Sequence, residues 1–191
     1  MRTFNFTHAG SCKIGMNMRA LLIIIFAGCA WAQKPGCLIQ PQSVGPVHAG
    51  MKAAQVRQTL RGVTLKPSED ADRLPTLIVI REGLHTMDLY LDSARDKVQT
   101  IRVYDETCAT RDGVHPGMSL PDAAARYGRL RTLRVTNTES REFAEFERQP
   151  DWLEIQVGNG NAGIYPPGQR STTNYSSGAH IASLWVHPNK R

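Results

Sequence analysis

The residues best suited to chemistry are the histidines, and two of them recur. His48 lies in Val47-His48-Ala49-Gly50-Met51 and His115 in Val114-His115-Pro116-Gly117-Met118, 67 residues further on. An imidazole becomes a general base or a metal ligand only in company, with a carboxylate, a hydroxyl or further ligands held at a set spacing. Neither histidine has that company in sequence. Each precedes Ala-Gly or Pro-Gly at the start of a helical stretch, so the recurrence reads as a turn requirement. His85, His180 and His187 fall near strand ends without an HxH or HExxH pattern, and Glu69, Asp70 and Asp72 cluster in a loop that begins at Pro67. The chain has no GxSxG, no phosphate-binding glycine loop, no GxGxxG and no cysteine in a catalytic setting. The expectation is a protein that is not an enzyme and uses no cofactor and no metal.

The cysteines divide by compartment. Cys12 and Cys29 fall in or before an apolar run, Ala20–Ala32, that follows Arg19 and ends in Ala30-Trp31-Ala32, and residues 1–32 contain no acidic side chain. That pattern predicts a signal peptide over 1–32 with cleavage before Gln33, and a translation start at Met16 or Met18 would give its compact form. A competing reading takes Phe26-Ala27-Gly28-Cys29 as a lipoprotein box, with Cys29 lipidated and the protein tethered to a membrane. Cys37 and Cys108 remain in the exported chain, where an oxidising compartment favours one disulfide between them. Such a bridge would pin an N-terminal arm, residues 33–43, to the middle of the molecule.

Charge excludes one partner class. The formal net charge is +6, but the leader removes Arg2, Lys13 and Arg19 and no carboxylate, leaving 20 basic and 17 acidic residues. A balance of +3 without a dense Lys/Arg run is ordinary surface chemistry, so nucleic acid is not expected as a partner.

The elements that must position these residues come in two copies. The helical stretch Ala53–Leu60 matches Leu120–Tyr127, with Val56 and Leu60 on the face taken by Ala123 and Tyr127. Strand-like runs follow: Thr76–Arg81 aligns with Glu142–Glu147 and Thr86–Asp92 with Trp152–Gly158, both at an offset of 66. Val98–Val103 aligns with Ile181–Val186 at 83, which leaves about 16 extra residues in the second copy. Ser119-x-x-Asp122 with Pro121 in the first turn is a good helix start, whereas Lys52 is a poorer cap. Gly62 and Gly128 serve as stops. The fold class expected is α+β: two tandem units, residues 44–105 and 106–191, each a short helix on a three- or four-stranded antiparallel sheet. The extra residues form a long loop, 158–178, rich in Gly, Asn, Ser, Thr and Pro, with Ile164, Tyr165, Arg170 and Tyr175 as contact residues.

The strings GMKAAQVRQTLRG and GMSLPDAAARYG resemble the helix signature of small exported bacterial modules, the SmpA/OmlA lipoproteins of outer-membrane assembly and the β-lactamase-inhibitor-protein type repeat. The first likeness implies an envelope accessory, and the second a protein ligand gripped by an open sheet face. Alternation puts Met87, Leu89, Leu91, Ile101 and Val103 inward. Tyr90, Arg102 and Tyr104 then face outward, joined by Trp152, Gln156 and Trp185 from the second copy. Aromatics with arginine are the residue types that dominate binding hot spots. The function expected is a non-enzymatic periplasmic or secreted module that binds another exported or envelope protein, such as an inhibitor or immunity-type factor, through Tyr90, Arg102, Tyr104, Trp152, Tyr165, Arg170, Tyr175 and Trp185. The alternative is a structural accessory of the envelope, touching the membrane only if lipidated at Cys29.

Overall fold

The computed structural model describes residues 37–137, 139–158 and 161–188, which fall in one compact unit. The leader, both candidate starts, Cys29 and the first residues of the arm lie outside the described residues. The remaining arm is not loose. Its β1 (Cys37–Gln40) opens a short meander with β2 (Ser43–Val44) and β3 (Val47–His48), the last of these already in the first unit, and β1 runs parallel to β8 (Cys108–Thr110).

Between these lie α1 (Ala53–Thr59) and four strands, β4 (Val63–Glu69), β5 (Pro75–Arg81), β6 (Leu84–Leu91) and β7 (Val98–Val103). After β8 the same order returns as α2 (Leu120–Tyr127), β9 (Leu130–Val135), β10 (Glu142–Phe146) and β11 (Leu153–Gly158), then the short β12 (Ser171–Thr172) and finally β13 (Ser183–Val186).

The strands correct the expected fold class. They hold 46% of the described residues against 10% for helix, and they do not make one sheet per copy. Nine run as a single antiparallel sheet in the order β12-β9-β10-β11-β13-β7-β6-β5-β4, beside the four-stranded mixed sheet β3-β2-β1-β8. The physical reason is the join. β7 and β13 would each be an exposed edge if the copies folded apart, and pairing them satisfies both rows of backbone groups while merging two small cores into one. Arg102 pairs directly with Trp185, its own counterpart at the 83-residue offset, so a pseudo-two-fold axis passes through that pair.

One apolar cluster fills the space between the large sheet and the elements over it. Val56 of α1, Leu120, Ala123 and Tyr127 of α2 and Ile39, Val44 and Val47 of the meander meet Leu89, Ile101, Val103, Leu133, Leu153, Ile155 and Leu184 of the sheet. α2 is the better-formed helix: the Ser119 hydroxyl accepts from Asp122 N–H at 3.2 Å, and Gly128 takes a φ of 84° at its end. On α1 the Lys52 N–H is held by the Gln55 side chain at 3.0 Å, and the helix ends at Leu60, two residues before Gly62.

Cys37 and Cys108 face each other in the β1–β8 register, their Cα atoms 4.5 Å apart, and form the disulfide. Because the bridge spans 71 residues, loop-closure entropy makes it worth about 4 kcal/mol. Non-reducing peptide mapping is expected to recover the two cysteine peptides joined, and a Cys37→Ser/Cys108→Ser double variant to lose roughly that stability in urea denaturation. Unchanged stability would remove the bridge from the forces holding the arm.

Candidate functional site

The recurrent histidines are turn residues. Val47 and Val114 are fully buried and Met51 and Met118 nearly so, while His48 and His115 point away from the core, each Nδ1 against the carbonyl of the next residue. Gly50 and Gly117 have φ near 82°. Gly50 N–H donates to Val98 O and Gly117 N–H to Ile181 O, both at 2.7 Å; Val98 and Ile181 return bonds to Met51 O and Met118 O. The same two-way clamp thus ties the first helix entrance to the start of β7 and the second to Ile181, two residues before β13. The requirement is for positive φ at glycine and for two buried apolar flanks, and the imidazoles take no part in it.

The other face of the nine-stranded sheet carries the polar chemistry. A second cluster contains only sheet residues, Tyr90 of β6, Phe143 of β10 and Trp185 of β13. Tyr90 stacks on Trp185 with centroids 5.2 Å apart, and Phe143 meets Trp185 edge-on at 6.2 Å. The Arg102 guanidinium lies 4.6 Å from the Tyr104 ring centre and 4.7 Å from that of Trp185. Its edge is held as well: Nε donates to Ser183 Oγ at 3.1 Å and Nη2 to Gln156 Oε1 at 2.8 Å, and the Trp185 indole N–H reaches the same oxygen at 3.2 Å. Arg141 lies over Trp185 at 5.4 Å and Arg134 over Phe143 at 5.1 Å. Three planar cations on aromatic plates, with weakly hydrated edges, are a surface suited to recognition.

Asp88, cross-strand from Arg102, is 7% exposed. One carboxylate oxygen meets His85 Nε2 at 2.6 Å and the other accepts from the Tyr104 hydroxyl at 2.6 Å. Burial, reinforced by that carboxylate, holds the Tyr104 phenol well above its usual range. A carboxylate orienting an imidazole is half of a nucleophile-activating arrangement, but among the described residues no hydroxyl or thiol bonds to His85. Nor does any group of three or more His, Cys, Asp or Glu side chains suit a metal ion among those residues.

The eight predicted contact residues divide by location. Tyr90, Arg102, Tyr104 and Trp185 come together on this face, Tyr90 and Trp185 largely buried within it. Trp152 does not join them: it lies in the turn before β11, where strand alternation has not begun, and packs half-buried against the main core. Tyr165 and Tyr175 likewise pack inward from the long loop. Arg170, also on the loop, is exposed and donates to the Thr136 carbonyl.

That loop has order, through a residue with no sequence signal. Glu142, the first residue of β10, is fully buried, and its carboxylate accepts from the N–H groups of Asn161, Ala162 and Gly163 at 2.7–2.9 Å and from the Tyr165 hydroxyl at 3.0 Å. Burial and the Glu142 charge together raise the Tyr165 phenol far above its usual range. A Cβ at Gly163 would lie 2.5 Å from the Tyr165 ring, so this glycine gives the ring its seat. Phe143, Arg134 and Arg141 also escaped notice, because strand alternation says which way residues face but not what they meet across the sheet.

No protein-family model matches the sequence, and no curated protein matches it with significance. Among solved structures the chain is similar to the crystal structure of the uncharacterized protein yfeY from Escherichia coli, with a TM-score of 0.56 and 12% identity, over 76% of this chain and 96% of that one. At that identity the likeness is one of fold. It covers nearly the whole of a bacterial protein, so the joined architecture is not peculiar to this chain.

Two outcomes test the polar knots. Glu142→Ala leaves three backbone donors and a phenol unpaired, and is expected to cost about 3 kcal/mol while speeding amide exchange at 161–163 more than in β5 or β6. Tyr127, the buried last residue of α2, has its phenol pushed up to about 12. A phenol that holds its proton more tightly when folded gives stability present below its ordinary value near 10 and lost above it. Urea midpoints should therefore hold up to about pH 10 and fall between 10 and 12, with phenolate absorbance of the buried tyrosines appearing only in that fall. Free titration near pH 10 of Tyr90, Tyr104, Tyr127 and Tyr165 would contradict their burial.

Proposed function

We propose that the protein is a non-enzymatic periplasmic or secreted binding module that recognises another exported or envelope protein through the second face of the nine-stranded sheet and the loop 158–178. The observation that carries this reading is the arginine–aromatic cluster centred on Arg102 and Trp185. Both helices and the four-stranded sheet bury their apolar residues on the opposite side, whereas this side gathers the residue types that anchor protein interfaces. The Cys37–Cys108 disulfide fits an oxidising compartment, and no described helix is long and apolar enough to cross a membrane. The resemblance of the helix strings to β-lactamase-inhibitor-type repeats makes an inhibitor or immunity-type factor the form favoured.

Tyr90 and Trp185 set the plate, and the partner would meet what lies on it: Arg102, Arg141, the half-exposed Arg134 and the rim of Tyr104. A photo-crosslinking phenylalanine analogue in place of Arg134 is expected to give a discrete adduct with one envelope protein, and the same analogue in place of Arg57 on α1 none. An Arg134→Glu/Arg141→Glu variant should lower affinity for that protein about tenfold or more. Equal labelling from both faces, or none from either, would remove the binding reading.

A further inference from the structure

The long loop is built to hold one short apolar segment still. Its two arms form a narrow ladder: Gly163 bridges Tyr175, Ile164 N–H donates to Asn174 O at 2.8 Å, and Ser176 N–H donates to Ala162 O at 2.9 Å. The Thr172 hydroxyl donates to Ile164 O at 2.9 Å, so the backbone of Ile164 is held on both sides. Beyond the ladder, Gln169 N–H closes a turn onto Pro166 O, with Pro167 and Gly168 as its central residues and Gly168 at φ 74°. That is the proline-then-glycine preference of a type II turn. One arm is fastened to the sheet through Glu142, and the other pairs β12 with β9.

Alternation along the arm decides what is presented. Gly163 and Tyr165 turn inward to Glu142, so Ile164 turns outward and is 58% exposed, followed by exposed Pro166 and Pro167. An exposed isoleucine alone is ordinary. Here, however, its main chain is bonded on both sides, two prolines with little conformational freedom to lose follow just beyond Tyr165, and a buried carboxylate with four donors holds the base. An apolar segment ordered before contact avoids much of the ordering cost of binding.

Registers place the loop at a particular end of the sheet. β11 ends and β13 begins there, level with the end of β7 and the start of β6. At that same end the β5–β6 turn and the segment after β7 border an open cleft of about 520 Å³ lined by Arg81, Leu84, His85, Tyr104, Asp105 and Thr107. Leu84 is 70% exposed there. Ile164 is held between β10, through Gly163, and β12, through Thr172, which lie four and six strand spacings from β6, so it stands roughly 19–29 Å across the sheet from Leu84. A partner that covers this end can meet both.

We propose, building on the binding reading above, that Ile164, Pro166 and Pro167 are the inserting element of this surface, and that the partner protein receives them in an apolar groove lined by aliphatic or aromatic side chains. Extended proline-containing segments dock in such grooves because little order is left to impose. The cleft at Leu84 takes the partner's flanking apolar residue.

The experiment uses the full exported chain with the photo-crosslinking phenylalanine analogue at Ile164, and separately at Leu74, which is 49% exposed but lies in the β4–β5 turn at the opposite end of the sheet. The analogue at Ile164 is expected to label the protein also labelled from Arg134, with adducts mapped by mass spectrometry to apolar groove residues, and the analogue at Leu74 to label nothing. Ile164→Asp should weaken affinity about ten- to a hundredfold and Ile164→Val much less, both with unchanged thermal unfolding. An Arg134 adduct without an Ile164 adduct, or Ile164 adducts on a charged surface, would overturn the insertion and leave the binding reading standing. Loss of both adducts would overturn the two together.

Discussion

The pairing of β7 with β13 is the contact on which the rest of the molecule depends. Each is the last strand of its copy, each would otherwise expose a row of backbone donors and acceptors, and antiparallel pairing satisfies both at once. It sets Arg102 against Trp185 at the centre of nine strands. Because those residues are one another's repeat counterparts, the seam is where two identical side chains would meet in a symmetric pair; an arginine opposite a tryptophan instead gives a cation on a ring. Ser183 and Gln156 complete the hold on the guanidinium, so the seam is closed by hydrogen bonds on one face and by Ile101, Val103, Leu184 and Val186 on the other.

The two halves keep the same frame and differ in what they hang on it. In both, glycine at positive φ lets the helix entrance exchange hydrogen bonds with equivalent residues at or just before the final strand, Val98 and Ile181. The first copy closes its last two strands with the short turn Asp92–Lys97. The second replaces that turn with the long loop, whose ordering needs a buried anion. A carboxylate without water is costly unless its lone pairs are filled. Three loop N–H groups and a phenol fill them at Glu142, so burial of the charge and order in the loop require each other.

Asp88 plays a comparable part in the first copy. It lies level with Arg102 and is filled by His85 and Tyr104. In the second copy the corresponding positions are Glu154 and His187, which meet at 3.2 Å. The outer face thus has an acid–donor pair on either side of the central cation, one of them opening on the cleft at Leu84. The proposed recognition surface is asymmetric because the loop lies at one end only.

Much of the frame was legible in the chain. The repeated Val-His-x-Gly-Met run, the helix phases, the 66- and 83-residue offsets, the inward set Met87, Leu89, Leu91, Ile101 and Val103, and the disulfide partners all follow from local pattern, since turn geometry, strand alternation and cysteine count act over short stretches. The single sheet does not follow from them, because edge-to-edge pairing of two strands 83 residues apart leaves no periodic mark. Glu142 is the clearest case among individual residues. A glutamate beginning a strand reads as solvated, and only the folded-back loop brings it the donors that make its burial tolerable. Trp152 shows the converse, an outward assignment reversed because the strand begins one residue later. Local sequence decided what each segment could be, and the tertiary structure decided which charges and aromatics meet, because those contacts depend on long-range closure that no short pattern encodes.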